Sequence, residues 1–398
     1  MNASSQIPLP QMVLLTLEKV LSGRDGAIAL HEPRFEGREA DYLMDCLDST
    51  YVSSVGAYVD RFERQLAEIV GVEHAVAAVN GTAALQVALR LAGVDRDDEV
   101  LIPALTFIGT ANAVAYQGAV PHFVDSHPGN LGIDAVALAD HLAEIAEPAG
   151  EAFRNRQTGR RLAALLPVHI FGHPADMDAL NELAARYRLP VIEDAAESLG
   201  SSYKGRMTGG LGLLGAMSFN GNKVVTTGGG GAILTDDAEL ARAAKHLTTT
   251  AKLAHSWDFV HDQVGFNYRM PNLNAALGCA QLEQLEGFLA AKRRLADRYA
   301  EAFVRVEGVT IVREPDHGRS NYWLNALLLE ESQSGQRDAV LSATNDAGLM
   351  TRPVWRLLHR LPMFEACPRM DLAAAESLER RLINLPSSPF LGEADVPA

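Results

Sequence analysis

Between residues 75 and 235 short apolar runs alternate with amphipathic helical stretches. The runs AVAAV, EVLIP, AVPHFVD, LAALLPVHI, LPVIEDAA and GAMSFN end at Pro, Asp, His or Asn, as strands buried on both faces do. Between them, TAALQVALRLAG repeats apolar residues every three or four positions, and so does RQLAEIVGV just ahead of the first run. ADMDALNELAARYR is a crossover helix with Asp176 placed to cap it. Strand–helix–strand repetition of this length predicts an α/β fold, a doubly wound and mostly parallel sheet with helices on both faces. Such sheets bind ligands at the carboxyl ends of their strands, so that is where chemistry is to be sought.

The rest of the chain is organised around this body. Residues 1–27 read as a leading helix or tail, and 28–271 as the large α/β domain. A long helix over 272–305 links it to a smaller α+β domain at 306–398, where VTIV and YWLNALLL read as strands and QRDAVLSATNDAG and AAAESLERRLINL as helices. The polar, locally basic stretch 147–161 reads as a solvated loop.

Composition excludes several functions. With 47% hydrophobic and 21% charged residues the chain is globular rather than disordered. Its net charge of −15 argues against gripping nucleic acid or anionic membranes, though not against a local anion pocket. Cys46, Cys279 and Cys367 stand far apart with no cysteine/histidine cluster, which fits a reducing cytoplasm and points to no metal site. No apolar run reaches the ~18 residues of a membrane span, and no secretory leader is expected.

Three elements carry chemistry. Asn80-Gly81-Thr82-Ala83 follows a strand and opens a helix, so its amides and the helix dipole suit a phosphate, or Thr82 is a plain N-cap. Asp194 ends the strand VIED, where an acidic side chain can pair with a protonated ring nitrogen or cap a helix. In MSFNGNKVVTTGGGGAILTDD, Ser218 and Lys223 follow an apolar strand and precede four glycines. A lysine there, with its pKa depressed, can form a Schiff base with a carbonyl cofactor, and Ser218 can donate to phosphate. No Walker A pattern is present.

This order resembles the fold-type I pyridoxal phosphate enzymes, and among them the DegT/DnrJ/StrS-type nucleotide-sugar aminotransferases. The likeness runs from about residue 28 to 390 through YVSSVGAYVDRFE, NGTAAL, PALTFIGTANAV, PVHIFGHPADMD, IEDAAESLGS, SFNGNKVVTTGGGGAI and GFNYRMPNLNAALG. SSVGAYVDRFE, TTGGGG and TRPVWRLLHRLPMF look closest to the LegC-like subgroup, which 4-aminates UDP-linked 4-keto-6-deoxy-N-acetylhexosamines for surface glycans.

The resemblance implies a role for each matching residue. Lys223 would carry pyridoxal 5'-phosphate, Asp194 would pair with its pyridine nitrogen, and Ala196 would lie beneath the ring. Gly81, Thr82, Ala83 and Ser218 would hold the phosphate. Phe107 would stack on the ring, or is simply a core residue. Glu197 stands where many relatives have Gln or His near the cofactor hydroxyl. Asn267 would reach the phosphate of a neighbouring subunit, so a homodimer with shared sites is expected. Arg269, Asn321, Tyr322, Arg352, Trp355 and His359 are candidates for binding the sugar nucleotide, each with a half-buried structural residue as the other reading. Glutamate is the expected amino donor. The alternatives are 3-amination, a GDP- or dTDP-linked sugar, or a catalytically silent regulatory or binding protein on the same fold. A sugar dehydratase is disfavoured by the presence of Lys223.

Overall fold

A computed structural model describes residues 7–22 and 26–393; the ends of the predicted N-terminal and C-terminal units, 1–6 and 394–398, lie outside the described residues. Seven strands build the central sheet: β1 (His74–Ala78), β2 (Glu99–Pro103), β3 (Val120–Val124), β4 (Arg161–Leu165), β5 (Ile192–Asp194), β6 (Leu214–Ser218) and β7 (Gly231–Thr235). One hydrogen-bonded group runs β1-β7-β6-β5 and the other contains β3-β2-β4. Parallel bridges Leu165–Val191 and Val168–Asp194 stitch the two groups together. Of these seven strands only β7 runs antiparallel, against both β1 and β6. The strands are apolar almost throughout, as a sheet covered on both faces requires.

Ahead of this body stands α1 (Leu9–Val20); α2 (Ala57–Val70), α3 (Gly81–Leu91), α4 (Ile108–Tyr116), α5 (Met177–Arg186), α6 (Ala238–Thr248) and α7 (Asn272–Leu282) belong to the body, and α8 (Leu285–Phe303) follows them. Asp176 caps α5 as predicted, accepting from the Ala179 amide. The long helix predicted over 272–305 is broken: Glu283 and Gln284 interrupt it between α7 and α8.

The C-terminal part forms a second antiparallel sheet from β8 (Val309–Ile311), β9 (Asn325–Leu329), β10 (Arg352–Pro353) and β11 (Leu382–Leu385), in the order β8-β9-β11-β10. The stretch predicted as a final helix changes state midway. AAAESLERR is helical over Ala373–Arg381 and LINL is β11, because Ile383 and Leu385 fill the core of this second sheet while Leu382 is buried in the main core. The predicted loop at 147–161 contains a β-hairpin, Ala146–Ala149 paired with Ala152–Asn155, that extends the sheet beyond β4.

Helix α1 buries Leu9, Val13, Leu17 and Val20 in the core of the C-terminal sheet, beside Leu295, Tyr299 and Leu327. These positions recur every three or four residues, one face of a helix. No helix among the described residues is long and apolar enough to cross a membrane.

Candidate active site

The carboxyl ends of β1, β5 and β6 open onto one cavity of about 350 Å3. Strand alternation decides which acidic residue of β5 faces it. Glu193 turns away, accepting from the Gly209, Leu211 and Gly212 amides and pairing with His169 at 2.9 Å. Asp194 turns into the cavity. Its Oδ2 accepts from the Thr110 hydroxyl at 2.7 Å and its Oδ1 from the Ala196 amide at 3.1 Å. Burial pushes the Asp194 carboxyl upward, against the pull of these two donors and of Lys223. No ion pair within 4 Å reaches it among the described residues, so this buried carboxylate lacks a close cation.

Lys223 follows β6 on a short turn, with its amide donating to the Asn220 carbonyl. Its amine lies 3.7 Å from Glu197 Oε1 and 3.7 Å from the centroid of the Trp323 ring. Burial lowers its pKa, with Glu197 and Asp194 opposing that fall. Glu197 is held by the Phe171 amide on Oε2 at 2.8 Å, and burial raises its carboxyl to about 7.

At the head of α3 the cap is Asn80, not Thr82. The Asn80 side chain accepts from the Ala83 amide at 2.8 Å. The Ala83 amide is thereby engaged by the cap, while Gly81 and Thr82 stand at helix positions whose amides the helix does not use. Gly81 is required here, because a Cβ would sit 2.9 Å from that of Ser218. Gly81, Thr82 and Ser218 thus come together at a helix N-terminus, where free amides and a hydroxyl would suit an anion as a cradle. Among the four glycines, Gly228 takes φ 76°, the left-handed conformation that glycine adopts freely.

Phe107 stands at the wall of the cavity, 54% exposed, rather than in the core. Ala196 and Trp355 also line it. The other predicted substrate residues do not. Arg269 lines a separate pocket with Lys245 and Thr249. Asn321 is buried and its amide donates to the carbonyls of Glu197 and Leu199, so it ties loops together. Tyr322 is buried against His173 and Arg293. Arg352 is exposed and bonded to Asn345, and His359 sits beside Glu376. Asn267 is exposed and absent from this cavity.

Sequence reasoning missed Thr110 and Trp323. Thr110 was legible as a polar β-branched residue inside the apolar helix of FIGTANAV. Trp323 is the residue next to two that were named, and only the backbone conformation separates them: Tyr322 takes φ 49°.

A buried carboxylate without a close cation, an amine of lowered pKa and an anion cradle around one cavity fit pyridoxal phosphate. Its ring nitrogen, aldehyde and phosphate require those three partners.

The sequence profile of the DegT/DnrJ/EryC1/StrS aminotransferase family matches residues 33–398. GDP-perosamine synthase of Caulobacter vibrioides is 39% identical over 370 residues, 93% of this chain and 95% of that protein. GDP-perosamine synthase of Escherichia coli O157:H7 is 37% identical over 93% of this chain and 95% of its own length. A crystal structure of a DegT DnrJ EryC1 StrS aminotransferase from Brucella abortus superposes with a TM-score of 0.80 at 30% identity, covering 90% of this chain and 92% of that one.

Proposed function

The chain belongs to the DegT/DnrJ/EryC1/StrS aminotransferase family, and from that premise we propose that its Lys223 cavity moves an amino group from glutamate to a 4-keto-6-deoxy sugar carried on GDP. The enzyme is a pyridoxal phosphate-dependent sugar aminotransferase acting on nucleotide sugars. Two relatives matched over nine-tenths of the chain make a GDP-linked product by their names, which favours GDP over the UDP-linked N-acetylhexosamine expected of a LegC-like enzyme.

The observation that carries this reading is that Asp194, Lys223, Gly81 and Ser218 line one cavity. Pyridoxal phosphate, when bound, supplies an electron-poor ring that accepts electrons from the substrate carbon. Asp194 would hold a proton on its ring nitrogen, and Thr110 keeps that carboxylate oriented. Gly81, Thr82 and Ser218 would bind its phosphate, with Phe107 against the ring and Ala196 below it. Lys223 takes the proton from the donor carbon as a base and returns it as an acid, exchanges that a lowered pKa assists. Trp355 lines the cavity, where it would meet the incoming sugar.

The homodimer belongs to this proposal: Asn267, exposed here, reaches the cradle of a second copy. The test is a panel of GDP-, UDP- and dTDP-linked keto sugars offered with glutamate. A GDP-linked 4-keto sugar should give the highest kcat/KM. Preference for a UDP-linked sugar would overturn the carrier, and a purified protein that takes up no pyridoxal phosphate would overturn the site.

A further inference from the structure

The Lys223 amine has two close partners. Glu197 Oε1 lies 3.7 Å from it, and the face of Trp323 lies 3.7 Å away from amine to ring centroid. Trp323 is fixed at three points. Its indole N–H donates to the carbonyl of Asn222, the residue before Lys223, at 2.6 Å. Its amide donates to Asn321 Oδ1 at 2.8 Å, and its carbonyl accepts from the buried Lys292 at 3.2 Å. The positive φ of Tyr322 is a strained conformation for a bulky residue, and it sends Tyr322 into the core while Trp323 faces the cavity.

We propose that Trp323 is a positioning residue for the transamination, its indole face holding the Lys223 amine in place and favouring its protonated form. An aromatic face attracts an ammonium and has no comparable attraction for a neutral amine. The lysine needs both forms, one to take a proton and one to return it, while burial penalises the charged one. The other groups facing the amine do not supply a constant counter-charge. Glu197 has its carboxyl raised to about 7, so it is only partly ionised at neutral pH. Asp194, also raised by burial, would be committed to the cofactor nitrogen. His31, whose ring is kept neutral by burial and by Lys292 and Lys223, adds none. Trp323 is the partner whose pull does not titrate.

The inference rests on the assignment of Lys223 as the reacting amine, and the experiment separates the two. In the cofactor-free full-length protein, competitive labelling with acetic anhydride across pH, read by peptide mass, gives the titration midpoint of Lys223. Trp323→Leu should lower that midpoint by roughly one pH unit, and Trp323→Phe by less. The acid limb of the kcat profile in the loaded enzyme should move with it, at unchanged KM for the nucleotide sugar. An unmoved midpoint with a raised KM would make Trp323 a stacking surface for substrate and overturn the proposal. So would an unmoved midpoint with only kcat reduced. Trp323→Phe keeps the test valid if the leucine variant misfolds. Turnover retained in Lys223→Ala would instead overturn the assignment of the lysine.

Discussion

Asp194, Glu197 and Lys223 share a buried space, and each has its proton affinity set by burial before any neighbour acts. Lys223→Ala should lose at least ~10^3-fold in kcat and the visible absorbance of the bound cofactor, measured on the purified variant. Thr110 donates to Asp194 without touching the lysine. Removing that bond in Thr110→Val should cost about 1–2 kcal/mol of transition-state stabilisation, roughly tenfold in kcat/KM. Glu197 makes a pH prediction. Its carboxyl stays protonated in the fold up to about 7, against 4.5 for a free glutamate. Between those values the folded chain binds more protons than the unfolded one, so this group's contribution to stability falls as pH rises through the window. Glu197→Gln should therefore flatten that fall in the cofactor-free protein, an effect on the order of 3 kcal/mol at most, read as the change in urea midpoint between pH 5 and pH 8. A wild-type midpoint that does not fall across this range relative to the variant would show the carboxyl ionised throughout. At this scale Lys223, Asp194 and Ser218 were legible because their order along the chain is tied to strand ends. Trp323 was not, because one positive φ at Tyr322 exchanges which of two neighbouring rings meets the cavity, and no residue pattern announces that turn.

The elements explain why the cradle sits where it does. Helix α3 begins directly after β1, and its Asn80 cap leaves two amides free beside Ser218 at the end of β6. Gly81→Ala should leave the fold intact by circular dichroism yet weaken cofactor retention by about tenfold, since the added Cβ would press on Ser218 and displace one donor. Retention equal to wild type, measured by release of the cofactor's absorbance on dilution, would place the phosphate elsewhere. The alternation of strands and helices was readable because each strand is a closed apolar run and each helix has a buried face. The hairpin at 146–155 was not readable, since its strands are only four residues long and neither is a closed run of buried apolar residues, so only pairing with β4 reveals them. The break between α7 and α8 falls at Glu283 and Gln284, neither of them a helix breaker. There Glu283 bonds to Tyr42 and Arg61 and Gln284 to Glu39, so tertiary partners rather than propensity set the boundary.

At the scale of the whole molecule one surface is out of keeping with the rest. Trp257 and Phe259 are 80% and 79% exposed, and Val264 is exposed beside them, all within the segment that leads to Asn267. Exposed apolar side chains along one segment would suit a contact face. Asn267 faces outward and does not enter its own chain's cavity, which fits delivery to a second copy across a two-fold axis. If each site draws Lys223 from one subunit and Asn267 from the other, defects in the two residues complement. Neither Lys223→Ala nor Asn267→Ala homodimers should support full activity, and the lysine variant should support none. In a mixed dimer one site carries both defects and the other carries neither. Random reassortment of equal amounts makes half of the dimers mixed, each with one intact site, so activity should recover to about a quarter of wild type. Subunits of the two variants, unfolded together, refolded with cofactor and assayed with glutamate and the preferred keto sugar, give the measurement. Activity no greater than the average of the two parent variants would place Asn267 in its own chain's site or outside the site altogether.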